Sequence, residues 1–283
     1  MKFSSLLARR CGIATVALGF GALSLVTTAC GNSSSDSSSS QQDAATTAPA
    51  KSLQILVTND DGYDADGIDA IVEALRATPN VTVAVVAPAT NQSGKGGTVT
   101  GGTLTATDAK TKSGYPAKAV AGTPADSVIW ALDQGGISFK PDFVVSGINA
   151  GQNMGPVIDL SGTVGAARAA TSRGIASIAT SQGITDNKFN FKAGVEQVMA
   201  WFTKNRPAIA DGTITKATVF NMNIPSCPSG SVRGPVDVPL AAATEGYLNV
   251  PDCASTATNP SEDIKAFQIG FAPISNIPLK PAA

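Results

Sequence analysis

The stretch from Leu53 to Gly62, Leu-Gln-Ile-Leu-Val-Thr-Asn-Asp-Asp-Gly, constrains the fold more than any other in this chain. A short apolar run of β-favouring residues reads as a buried parallel strand, and it stops at two adjacent carboxylates followed by a glycine. In an open parallel sheet the crevice beyond the carboxyl ends of the strands is where ligands bind, so Asp60 and Asp61 would stand at its mouth. Adjacent carboxylates repel each other unless a cation or hydrogen bonds compensate, which points to a bound metal. A solvated Asp-Asp-Gly turn is the competing account of the same residues.

Composition narrows the chemistry. The chain has 283 residues, 43% hydrophobic and 14% charged, which suits one globular domain with a real core plus non-globular ends. A formal charge of −1 offers no basic footprint for nucleic acid, so none is expected as a partner. There is no histidine, which excludes Ser-His-Asp triads, His-bearing zinc sites and a His general base together. Catalysis must then run on oxygen ligands, Lys, Arg or a hydroxyl. Cys11 and Cys30 lie in the N-terminal segment, leaving Cys227 and Cys253 for the folded part, too few for a zinc ribbon.

Residues 1 to 30 combine Lys2, Arg9 and Arg10 with an apolar middle from Ile13 to Val26 and the ending Thr27-Thr28-Ala29-Cys30-Gly31. This is the pattern of a bacterial export signal, too short in its apolar part to span comfortably. A cysteine directly after small residues looks like a lipoprotein signal, with residues 1–29 removed and Cys30 lipidated; an ordinary signal peptide or a retained anchor is the alternative. The expected location is extracytoplasmic, on the bacterial membrane. From Asn32 to Ala50 the chain is Ser, Gln, Thr and Ala with almost no bulky side chain, and it cannot bury enough surface to fold. It reads as a tether reaching roughly 25 Å as a flexible coil. In an exported domain the two remaining thiols, Cys227 and Cys253, are expected to pair.

The globular part is expected from 51 to 283. Ile68, Ile71, Val72 and Leu75 fall on one helical stripe, and Val81 to Ala87 is the next buried strand, which together make a right-handed parallel crossover unit. A polar, glycine-bearing loop from Pro88 to Gly97 leaves the same rim as Asp60 and Asp61. Thr98–Thr100 and Thr103–Thr107 flank Gly101-Gly102, a two-residue hairpin signal. Thr123-Pro124 starts a capped helix whose stripe is Ala125, Val128, Ile129 and Leu132. Phe143 to Val145 is a strand running into Ser146-Gly147-Ile148-Asn149-Ala150-Gly151. Ser161-Gly162-Thr163-Val164-Gly165 opens a small-residue helix, whose N-terminal hydroxyls and N–H groups make either an anion site or a plain N-cap. Ile175–Thr180 and Thr218–Phe220 read as strands, Phe191–Phe202 as a helix, and Ile264–Phe271 as an edge strand.

Taken in order and spacing, Thr58-Asn59-Asp60-Asp61-Gly62, Asn91-Gln92-Ser93-Gly94, Ser146 to Gly151 and Ser161 to Ala167 resemble the SurE (survival protein E) family of metal-dependent nucleotidases and acid phosphatases. Gly122-Thr123-Pro124-Ala125-Asp126, Asn221-Met222-Asn223-Ile224-Pro225 and Ile277-Pro278-Leu279 add to the likeness, which extends from Leu53 to Leu279. The resemblance implies a Rossmann-like, three-layer α/β domain with a mostly parallel sheet, a smaller C-terminal extension with β-hairpin elements, and a homodimer or homotetramer. It implies hydrolysis of nucleoside monophosphates by metal-assisted attack of water on phosphorus. Carried over by motif, the cation is held by Asp60, Asp61, Ser93 and Asn149. Asn91, Ser161, Gly162 and Thr163 cradle the phosphate, and Asp60 also orients or deprotonates the water. An all-oxygen shell selects a hard cation such as Mg²⁺ or Mn²⁺.

Lys95 is read as a solvated side chain in preference to an added phosphate contact, and Asp64 and Asp66 as surface charges. The competing function is a non-catalytic nucleotide- or phosphate-binding lipoprotein on the same scaffold, since a fold does not guarantee chemistry. An aspartyl-nucleophile phosphatase would need carboxylates two apart, which Asn59-Asp60-Asp61-Gly62 lacks.

Overall fold

The computed structural model describes residues 51–279. The expected export signal, the lipidated Cys30 and the tether lie outside the described residues. The apolar run at the start forms β1 (Leu53–Thr58), followed by α1 (Asp66–Arg76) and β2 (Val81–Pro88). Then come β3 (Ala106–Lys110), β4 (Pro116–Val120), α2 (Pro124–Asp133) and β5 (Phe143–Ala150). A 3-10 turn at Gly155–Asp159 leads to α3 (Gly162–Thr171), β6 (Ser177–Gln182), α4 (Phe191–Ala210) and β7 (Thr218–Ile224). The chain continues with β8 (Pro235–Asp237), α5 (Asp263–Gln268) and β9 (Ala272–Pro278).

All nine strands join one sheet in the order β3-β4-β2-β1-β5-β6-β7-β9-β8. The six from β4 to β7 run parallel, while β3 and β9 run antiparallel to β4 and β7. β1 lies between β2 and β5, with Leu53 opposite Val81 and Ile55 opposite Phe143. The chain first winds outward from β1 through β2 to β4, then crosses to β5 on the other side. The carboxyl ends of β1 and β5 therefore flank the point where strand order reverses, the usual ligand crevice of such sheets.

The period-two alternation of β1 builds a three-layer sandwich. Leu53, Ile55 and Val57, with Val83, Val85, Phe143 and Val145, face the layer of α1 and α4. Leu56, Val86, Val120 and Val144 face α2 and α3. All four residues of the α1 stripe are buried. On α4, Trp201 wedges between Phe143 and Phe220, with ring centroids 5.8 and 5.0 Å away. The helix continues past Phe202 to Ala210, where Ile209 is also buried. The Thr123 cap of α2 is a full capping box with Asp126.

Two local expectations are corrected. The Gly101-Gly102 pair does have positive φ, but its flanks form no strands. They are taken by the ends of α2 instead: Thr100 donates through its N–H and hydroxyl to Asp126, and Leu104 N–H donates to Gln134 Oε1. The hairpin is β3–β4, closed by Gly114 N–H on Thr111 O at 2.8 Å. Ile264–Phe271 is not an edge strand. Ile264, Ala266 and Phe267 bury one side of the short helix α5, and β8 and β3 are the sheet edges. Cys227 and Cys253 form a disulfide with Cα atoms 5.7 Å apart, as expected from their isolation.

Candidate active site at the carboxyl ends of β1 and β5

The turn after β1 is built by Asn59, which accepts from Gly62 N–H at 3.1 Å and donates its amide to Gly62 O at 2.9 Å. Gly62 sits at φ +114°, a conformation that side chains rarely adopt. This closure holds Asp60 and Asp61 at the end of the strand, Asp60 only 3% exposed and Asp61 half-buried.

Three other segments meet the pair. From the loop after β2, Gln92 N–H donates to Asp60 O at 2.7 Å and Asn91 Nδ2 donates to Asp61 Oδ1 at 3.2 Å. Ser93 is tied in through its N–H, which donates to Asn91 Oδ1 at 2.9 Å. At the end of β5, Ala150 N–H donates to Asp61 Oδ2 at 2.8 Å. Its neighbour Asn149 donates its amide to Gly151 O at 2.6 Å, which leaves the carboxamide oxygen as its ligand atom.

The third segment is the N-terminus of α3. Ser161 caps the helix by accepting from Val164 N–H at 3.1 Å. Thr163 Oγ1 donates to Asp60 Oδ1 at 2.7 Å, and the Thr163 backbone N–H supports the same carboxylate. Gly162 passes so close that a Cβ there would lie 2.7 Å from Asp60 Cβ. The loop after β2 also lies against this helix, since a Cβ on Gly165 would meet Gly96 O at 2.0 Å.

Burial pushes the Asp60 carboxyl up to about 6, the negative charge of Asp61 adds to the rise, and the Thr163 hydrogen bond opposes it. Burial likewise raises Asp61, opposed by Ala150 N–H and Asn91. Among the described residues neither carboxylate pairs with Lys or Arg. The like charges are relieved only by neutral donors and the positive end of α3. Among the described residues no three or more His, Cys, Asp or Glu are placed to hold a metal ion together. A cation here would therefore be held by two carboxylates completed by neutral oxygens, and the hydroxyl of Ser93 and the carboxamide of Asn149 are of the type a hard divalent ion takes.

The structure thus gathers Asp60, Asp61, Asn91, Ser93, Asn149, Ser161, Gly162 and Thr163 around one rim. Lys95, Asp64 and Asp66 are exposed, and Asp66 pairs with Lys112. A cavity of about 700 Å³ lined by Val83, Tyr115, Ile137 and Phe139 contains none of the rim residues. Sequence reading missed a buried cluster beside the rim, Asn153, Ser181 and Asn223, to which Asn221 also contributes. The available signal was polar residues alternating at the end of an otherwise apolar strand, Asn221-Met222-Asn223.

This is a doubly wound α/β domain of the Rossmann-like class, with an acidic pair and a helix N-terminus at its switch point. Residues 55–246 match the family described as Survival protein SurE. The 5'-nucleotidase SurE of Brevibacillus brevis is 37% identical over 194 residues, covering 67% of this chain and 72% of that protein. That of Geotalea uraniireducens is 39% identical over 184 residues, covering 65% and 70%. The crystal structure of the SurE protein from Aquifex aeolicus superposes with a TM-score of 0.62 at 27% identity, covering 81% of this chain and 94% of that one. The chain belongs to the SurE family.

Proposed function

We propose that this chain is a divalent-metal-dependent phosphomonoesterase that hydrolyses nucleoside monophosphates. As a member of a family whose matched relatives are named 5'-nucleotidase, it is a hydrolase of phosphoric monoesters. The observation that carries the finer reading is the setting of Asp60, a buried carboxylate beside Asp61, with no cationic side chain paired to it among the described residues and with the start of α3 against it.

Asp60, Asp61, Ser93 and Asn149 would hold the cation, Mg²⁺ or Mn²⁺, and Asn91, Ser161 and Gly162 would border the phosphate. When bound, such a cation supplies Lewis-acid polarisation of the phosphoryl oxygens. Asp60, oriented by Thr163, would position the attacking water and accept its proton. The Gly162 N–H at the start of α3 and the Asn91 amide would meet charge developing on the phosphoryl group. Because Thr163 is fully buried and its hydroxyl serves Asp60, its part is to hold that carboxylate and not to touch the substrate.

The test is turnover of nucleoside monophosphates by EDTA-treated protein with Mn²⁺ or Mg²⁺ restored. Metal-dependent release of phosphate, lost in Asp60→Asn, supports the reading; binding without turnover would leave a phosphate-binding protein in its place.

Residues 1–30 and the serine-rich stretch after them further support export and anchoring through a lipidated Cys30. No described helix is long and apolar enough to cross a membrane. Incorporation of a labelled fatty acid, abolished by Cys30→Ala, is the expected result, and a mature N-terminus elsewhere would overturn it. A homodimer or homotetramer is the proposed assembly, checked by sedimentation.

A further inference from the structure

The segment from Asn149 to Gly155 carries the Asn149 carboxamide and the Ala150 N–H that meets Asp61, yet it leaves the sheet ladder after β5. Gly151 and Gly155 both have positive φ, so the backbone turns away from strand geometry at each. Its polar groups are held one by one. Gly151 N–H donates to Gln182 O at 2.9 Å, Gln152 O accepts from the Tyr247 hydroxyl, and Gly155 N–H donates to Asp263 Oδ2 at 2.8 Å.

Asn153, in the middle, is held at both backbone groups by side chains of β7. Its N–H donates to Asn223 Oδ1 at 2.6 Å, and its carbonyl accepts from Asn223 Nδ2 at 3.0 Å and from Asn221 Nδ2 at 2.8 Å. Its own amide donates to Ser181 Oγ at 2.9 Å. Asn221 and Asn223 are two apart on one strand, so both face the same side. Sheet register then links this cluster to the site: Asn149 of β5 is opposite Ser181 of β6, and Ser181 is opposite Asn223 of β7. The polar row runs from the rim into the sheet, with Asn153 folded back over it.

We propose that Asn223, assisted by Asn221, is a positioning residue of the site: by gripping Asn153 it sets the path of Asn149–Gly155 and so holds the Asn149 oxygen and the Ala150 N–H toward Asp61. This rests on the reading of Asn149 as a cation ligand. A carboxamide suits the task because one planar group offers a donor and an acceptor to the N–H and C=O of a single residue. An aliphatic side chain of like size would leave the Asn153 N–H buried and unpaired, with its carbonyl held by Asn221 alone. Support of this kind around metal ligands typically changes affinity or activity by about 10- to 100-fold when removed.

The experiment compares Asn223→Ala, Asn221→Ala and Ser181→Ala with the parent. Ser181→Ala also deletes a buried hydrogen bond to Asn153 but leaves both of its backbone groups gripped. Calorimetric titration of the metal-stripped proteins with Mn²⁺ should show an affinity loss of about 10- to 100-fold for Asn223→Ala, a smaller loss for Asn221→Ala, and parent-like affinity for Ser181→Ala. Amide exchange without metal should quicken at Ala150 and Asn153 in Asn223→Ala while Leu56 in β1 stays protected. Parent-like Mn²⁺ affinity in Asn223→Ala, or losses that merely follow melting temperature across all three variants, would overturn the proposal. If Asn223→Ala does not fold, Asn221→Ala decides by the same measures. A parent protein that fails to bind Mn²⁺ would sink the proposed function alone, because exchange at Ala150 still tests the grip.

Discussion

Thr163 and Asp60 are joined by a 2.7 Å hydrogen bond across 103 residues of sequence, a fully buried contact between the end of the first strand and the first turn of α3. It lowers the Asp60 carboxyl against the combined upward push of burial and Asp61. In the absence of metal the hydroxyl therefore favours the ionised form of this buried carboxyl.

Thr163→Val keeps the shape and removes the hydroxyl. Without metal, the Asp60 midpoint should move above about 6, and the less firmly held carboxylate should lower kcat of the loaded enzyme by about 10- to 100-fold. Carboxylate titration followed by NMR in the presence of EDTA checks the first part, and an unshifted midpoint would count against the assignment.

Asp60→Asn should abolish turnover and, in the presence of EDTA, stabilise the fold. Without metal the folded carboxyl is pushed up to about 6 from its ordinary 3.8, so the native state binds the proton more tightly than the unfolded chain. Its favourable contribution is present below about pH 4 and is lost as pH rises to about 6. The variant should match the parent at the acid end and exceed it by up to about 3 kcal/mol at pH 7 and above. Melting temperatures measured from pH 4 to pH 8 without metal test this; a difference independent of pH would refute it.

Gly162→Ala places a methyl group 2.7 Å from Asp60 Cβ and 2.9 Å from both Asp60 Oδ2 and Pro124 Cγ. Overpacking of this size costs about 1–3 kcal/mol. The displaced carboxylate should reduce kcat by about 10²-fold, with the melting temperature showing that the fold survives. A variant with parental kcat would mean that Asp60 need not sit where it does.

The Cys227–Cys253 bridge closes a loop of 26 residues and should contribute about 3 kcal/mol. Peptide mapping of unreduced protein should recover the two cysteines cross-linked, and reductant should lower the melting temperature. Two free thiols at these positions would remove the bridge from the account.

Most of the rim was legible because strand ends and helix starts leave strong local marks. The buried run before Asp60, the Thr123 cap and the Ser161 cap each depend on chemistry within a few residues. Asn153 was not legible, since its partners on β7 are some 70 residues away and no local pattern announces a side chain gripping a distant backbone. The Gly101-Gly102 hairpin failed for the same reason. Its turn geometry was right, but Asp126 and Gln134, donated by a later helix, outcompeted strand pairing for the flanking groups. For 264–271, alternation over a few residues fits a strand or a helical turn equally, and burial of Asp263 with three backbone donors settled it as a helix start.

β9 lies between β7 and β8 although it is made after both. Until Ala272–Pro278 is in place β8 has no sheet neighbour, and that edge of β7 stays open. A chain folded only that far carries an unfilled slot in its sheet, a template for any passing strand, until β9 drops in and closes it.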